Sequence, residues 1–152
     1  MKSRVARYIL MLNSSLMILY GLGVILLPNL ITDNLEIYSA LNWIHLREES
    51  PLFVEYIVRL VFLLGVFNIL LGSSGLIAVY QSFHKKGKWL LAIILLTNIL
   101  GYLAPVLFDL TTGVITYIEV IEMISFTLAV ISILIIMPEF TNDEGKPGSA
   151  NL

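Results

Sequence analysis

The sequence predicts an all-α integral membrane protein: a four-helix bundle of up-down-up-down topology, with a short interfacial helix in its first outer loop. Three observations predict it. Hydrophobic residues fill 58% of the 152 positions and charged ones only 13%, where a soluble domain runs nearer half apolar and a quarter charged. The charges are also segregated, leaving 8–27, 60–80, 90–108 and 123–137 without any group ionised at neutral pH. A hydrocarbon core of ~30 Å takes roughly 20 helical residues at ~1.5 Å each, and all four stretches reach that length once their flanks are counted.

The first span is read over 8–27. Lys2, Arg4 and Arg7 before it resemble the basic region of a signal peptide. The apolar run, however, exceeds the usual h-region of about 7–15 residues, and no small-x-small cleavage site follows. It reads as a retained helix, with Asn13, Ser14 and Ser15 as interhelical glue in its inner part. The outer connection that follows contains ITDNLEIYSALNWIHL. Asp33 and Glu36 there have capping-box spacing, and Leu35, Tyr38, Leu41 and Trp43 suit a helix lying against headgroups; an irregular loop fits the same residues.

The second span is read over 54–80. Gly65, Asn68, Gly72 and Gly75 share one helical face, which small residues mark as the packing face. The loop QSFHKKGK leads into the third span, 88–108, where Gly101 and Pro105 predict a kink, because proline lacks a backbone donor and crowds the carbonyl four residues back. DLTTG makes a tight turn into the fourth span, 114–137. Residues 1–138 form a single domain, and the polar stretch 139–152, rich in glycine and charge, is expected to be a disordered cytoplasmic tail.

Orientation follows from basic residues near the helix ends. Lys2, Arg4, Arg7, Lys85, Lys86 and Lys88 lie on one side, against Arg47 and Arg59 on the other. This places both termini in the cytoplasm of a multi-pass protein, in the plasma membrane of a prokaryote. Having no cysteine, the chain has no disulfides, thiolate metal sites or cysteine nucleophiles.

Polar residues within the spans are the candidate functional groups. Asn68 lies about 13 Å below Arg59 and Asn98 about 15 Å from Lys88, so both fall near the midplane, where a hydrogen bond between them is expected. Four carboxylates gather at the outer side with one cation: Glu55, Asp109, Glu119 and Glu122 around Arg59. Glu55 and Arg59 form an i,i+4 pair of favourable order. Glu119 sits close to the interface and Glu122 about 4–5 Å deeper on the same face. A charge at that depth is costly, so Glu122 either pairs with Arg59, stays neutral in a ligand or proton site, or is solvated at the interface. His45 and His84 lie on opposite sides of the membrane, which argues against a bis-histidine haem. GSSG at 72–75 is too short for a phosphate loop. No catalytic set, metal site or cofactor is expected.

Certain stretches also carry a resemblance. YGLGVILLP at 20–28, VRLVFLLGVFNILLG at 58–72, a glycine late in the third span, DLTTG and a glutamate early in the fourth occur in this order. In these elements the chain resembles a family of small bacterial four-helix membrane proteins known mainly as a domain of unknown function. The resemblance implies a fold and no activity. Where that family tends to place a second arginine, this chain reads GYLAP, with Tyr102, so the family's charge network does not carry over.

The expected function is that of a non-enzymatic accessory or structural subunit packing with a partner. The alternative is a binder or isomerase of a lipophilic small molecule, with Glu119 and Glu122 moving protons in a cavity walled by Phe62, Tyr102, Tyr117 and Phe126. A proton-coupled carrier ranks third, because four helices are few and no inner-leaflet acid completes a relay. The expected partners are the lipid bilayer, a protein partner or second copy, or a lipophilic ligand, and no nucleic acid.

Overall fold

The computed structural model describes residues 1–27, 43–112 and 117–141, and among these the side chains of 43, 44, 104, 108, 109, 112 and 117–119 fall outside the description. Every described element is helical: α1 (Lys2–Leu26), α2 (Trp43–Glu49), α3 (Pro51–Gln81), α4 (Lys88–Leu95), a π-helical turn (Leu96–Leu100), α5 (Gly101–Thr112) and α6 (Tyr117–Thr141). Four helical segments are long and apolar enough to cross a membrane: Lys2–Leu26, Pro51–Gln81, Lys88–Leu107 and Val120–Thr141, with mean hydropathy from 2.1 to 2.5.

Local chemistry sets the helix ends. Leu27 closes α1 with φ −128° and ψ 59°, its amide still bonded to the Gly23 carbonyl at 2.8 Å. It precedes Pro28, whose ring disfavours helical backbone in the residue before it. α3 opens on Pro51, where a missing amide costs nothing because first-turn amides lack intrahelical partners anyway. Gly87, in extended backbone, breaks the chain direction before α4.

The closest approach is between α1 and α3, and glycine makes it. A Cβ on Gly21 would lie 2.5 Å from the Gly65 carbonyl oxygen, and one on Gly72 would lie 2.7 Å from that of Ser14. A Cβ on Gly75 would meet the hydroxyls of Ser14 and Thr97, both at 2.8 Å. Numbers rise along α3 as they fall along α1, so the two helices run in opposite directions with their backbones nearly touching. This is the face expected of Gly65, Gly72 and Gly75. Around the end where α1 begins, Leu10, Val79, Ile94, Ile136 and Phe140, from α1, α3, α4 and α6, close into one buried apolar block.

Three departures from expectation have physical causes. α6 continues through Pro138 to Thr141, so the tail does not begin at 139. Proline forfeits one backbone bond there, while Phe140, 2% exposed, is buried in the apolar block. The irregularity of the third span lies at Leu96–Leu100, just before the expected kink at Gly101 and Pro105. Thr97 donates to the Ile93 carbonyl at 2.8 Å and Asn98 to the Ile94 carbonyl at 3.2 Å. These side-chain donors add bonds to carbonyls where the helical register changes; the Ile93 carbonyl also accepts the Leu96 amide. Of the expected first-loop helix, residues 31–42 lie outside the described residues, and α2 supplies a short helix at its end.

Candidate functional site

The described polar groups fall into three layers. At the end where α3 begins, the acidic end, Arg59 meets Glu55 at 2.6 Å, but the two side chains are 74% and 55% exposed. Arg59 precedes Gly65 by six residues, which at about 100° per residue places it roughly 120° around the helix from the glycine face. The depth read from sequence leaves this azimuth open, and Arg59 points away from the bundle. Glu122 is half-buried on α6 and close enough to Tyr102 to interact with it electrostatically. The side chains of Asp109 and Glu119 lie outside the described residues. Of the expected cavity walls, Tyr102 is buried, Phe62 is 50% exposed on α3 and Phe126 is half-buried on α6; the Tyr117 side chain lies outside the described residues.

The middle layer is built from neutral polar groups. Asn13 on α1 donates to the Ser125 carbonyl on α6 at 2.8 Å, and Tyr102 on α5 donates to the Asn13 carbonyl at 2.9 Å. One asparagine thus joins three helices. Asn98, fully buried, donates to the Ile94 carbonyl and to the Thr97 hydroxyl, each at 3.2 Å. Asn68 donates to the Leu64 carbonyl of its own helix at 3.0 Å. The expected Asn68–Asn98 bond is therefore replaced by two local ones: Gly75 on α3 lies opposite Thr97, which sets Asn98 about six residues, or about 9 Å, along α3 from the level of Asn68. The hydroxyls of Ser14 and Ser132 and the Asn98 carbonyl oxygen are buried without a hydrogen-bond partner among the described protein atoms.

The third layer was not foreseen as a site. At the basic end, Arg7 is 5% exposed. Its Nε donates to the Ser82 hydroxyl at 3.0 Å, Nη1 to the Ser3 hydroxyl at 2.8 Å and Nη2 to Glu139 Oε2 at 2.7 Å. The guanidinium also lies 5.3 Å from the centre of the Phe83 ring, within cation–π range. Lys86 reaches the same Glu139 oxygen at 3.7 Å. A planar fork of five donors suits such a many-sided site. Through it the start of α1 is tied to the end of α3 and the end of α6. The sequence signal was Glu139, the acid nearest the end of the fourth span, placed by topology beside six cations.

Aromatic rings flank this layer. Tyr8 packs on Phe83 with centroids 5.6 Å apart, Tyr80 on His84 at 5.8 Å, and Trp89 stands 83% exposed. At the other end, His45 pairs with Glu49 on α2 at 3.1 Å. Among the described residues no three histidine, cysteine or carboxylate side chains converge as a metal site would require. What the geometry can do is hold helices: apart from the Ser14 and Ser132 hydroxyls, the buried donors described above are spent on carbonyls, hydroxyls and one carboxylate. Compared with known proteins, the chain matches no family model, no curated protein and no solved structure.

Proposed function

We propose that the chain is a multi-pass membrane protein with an up-down-up-down bundle and both termini in the cytoplasm of a prokaryote, and that it serves as a non-enzymatic accessory or structural subunit packed against a partner chain. One observation carries this reading. α3 is the longest helix, at 31 residues, yet buries the smallest share of its apolar window, 17% against 28–35% in the other spans. Its free side presents a contiguous exposed apolar face of Leu60, Leu63, Leu64, Phe67 and Leu70. Helices associate in lipid through close packing of such faces, and this one is long enough to seat a second helix. The ring of Tyr8, Tyr80 and Trp89 at the basic end agrees with a membrane–water boundary there.

The test is native mass spectrometry of the chain extracted gently from its own membrane. A second polypeptide, or a second copy, at fixed stoichiometry is expected, and it should be lost in Leu63→Trp or Phe67→Ala. A chain that emerges alone would overturn the subunit reading.

A second reading, a binder or isomerase of a lipophilic molecule, is favoured by one observation, the half-buried Glu122 beside Tyr102. It calls for a small-molecule adduct that Glu122→Gln removes. A proton-coupled carrier remains third, since the apolar block around Leu10, Val79, Ile94 and Ile136 lies between the polar middle and Glu139.

A further inference from the structure

A groove of about 230 Å³ runs between the first turns of α1 and the facing turns of α6. Val5 and Ile9 form one wall, Leu128 and Ile131 the other; Ser132 also lines it, and Lys2 stands at its end. Three features give it a chemistry. With Lys2 and Ile135 counted, the lining runs over 2–9 on α1 and 128–135 on α6, about two turns or about 10 Å, a length that takes a stretch of acyl chain. Lys2 is exposed and forms no ion pair with any described residue. The Ser132 hydroxyl, 1% exposed, has no hydrogen-bond partner among the described protein atoms. A buried hydroxyl without a partner is rare and unfavourable, and an acceptor brought by a ligand resolves it.

The three features differ in depth. Ser132 lies seven residues before Glu139, about 10 Å in from the charged layer. A molecule that satisfies all three carries an anion at one end, an ester oxygen below it and a hydrocarbon chain beyond. The groove is also too small for a helix, whose diameter with side chains is about 10–12 Å.

We propose that this groove binds one anionic phospholipid from the leaflet at the basic end. Its phosphate sits on Lys2, an ester oxygen accepts from Ser132, and an acyl chain lies along Val5, Ile9, Leu128 and Ile131. The site rests on the reading of the chain as a membrane protein.

The experiment is native mass spectrometry of the detergent-extracted chain titrated with phosphatidylglycerol or phosphatidylcholine. The wild type should take up one phosphatidylglycerol in preference to phosphatidylcholine. Lys2→Gln should weaken this about fivefold, the loss of one basic contact near an anionic headgroup, and Ser132→Ala about threefold. Ile131→Trp should fill the groove and abolish uptake, while Lys88→Gln, outside it, should bind as the wild type does. Equal uptake of the two lipids overturns the proposal, as does a Lys88→Gln loss equal to that of Lys2→Gln. If Ile131→Trp does not fold, the two milder variants still decide. Carbonate washing of membranes separates the two readings. Release of the chain would end the membrane reading and the site together, whereas retention without lipid preference ends only the site.

Discussion

The two ends of the bundle use the same ion pair in opposite ways. Arg7 and Arg59 each hold a glutamate within hydrogen-bond distance, at 2.7 Å and 2.6 Å, but their side chains are 6% and 74% exposed. Arg59 pairs four residues back along its own helix, so the bond adds nothing between helices. Arg7 bonds to residues 75 and 132 positions away and fastens three helix ends at one point. Exposed pairs contribute about 0–1 kcal/mol, whereas leaving a buried charge without its partner costs about 3–5 kcal/mol. Similar short distances therefore carry different stabilities, and burial, not length, decides.

Six substitutions would break or sharpen this contrast, measured as reversible unfolding in detergent. The largest effect belongs to Arg7→Ala, expected to cost about 3 kcal/mol through the loss of its charge-assisted hydrogen bonds to Ser3, Ser82 and Glu139. Arg7→Lys should recover only part of it, lacking the planar fork; a loss under about 1 kcal/mol for Arg7→Ala would erase the distinction between the ends. Next comes Gly72→Ala, at about 2 kcal/mol, because its Cβ would press on the Ser14 carbonyl and force α1 and α3 apart. Gly23, with nothing within 4 Å of an added Cβ, provides the control: Gly23→Ala should be neutral or slightly stabilising.

Asn13→Leu should cost about 1 kcal/mol, the usual scale of a polar tie between helices in lipid. Arg59→Ala should cost the least, under about 0.5 kcal/mol. A loss there as large as that of Arg7→Ala would mean that Arg59 is buried against another chain, which would place a partner at the acidic end.

Much of the fold was legible in a coarse rule: the runs without charge that are long enough to cross a membrane lie within helices here. The glycine face of α3 was legible for a related reason, since residues without side chains mark where backbones meet. Relative level and azimuth did not come through. Asn98 lies about level with Ser74, roughly 9 Å along α3 from Asn68, each asparagine bonds within its own helix, and Arg59, expected among the outer carboxylates, is exposed and pairs with Glu55 of its own helix. The role of Arg7 was hidden by company: among three cations near the start of α1, nothing local separates the buried one from Lys2 and Arg4. Only the joint placement of Ser82 and Glu139 at the same end distinguishes it, and that is a property of topology rather than of any short stretch.

The length of chain spanned by the Arg7–Glu139 bond has a consequence in time. During synthesis α1 emerges first and α6 last, so Arg7 waits through the making of 132 residues before its carboxylate exists. The α1–α3 seam joins consecutive spans and can zip as soon as the second is complete. The arginine clasp can close only once Glu139 has been made. A chain that stops before Glu139 leaves the buried Arg7 without its carboxylate.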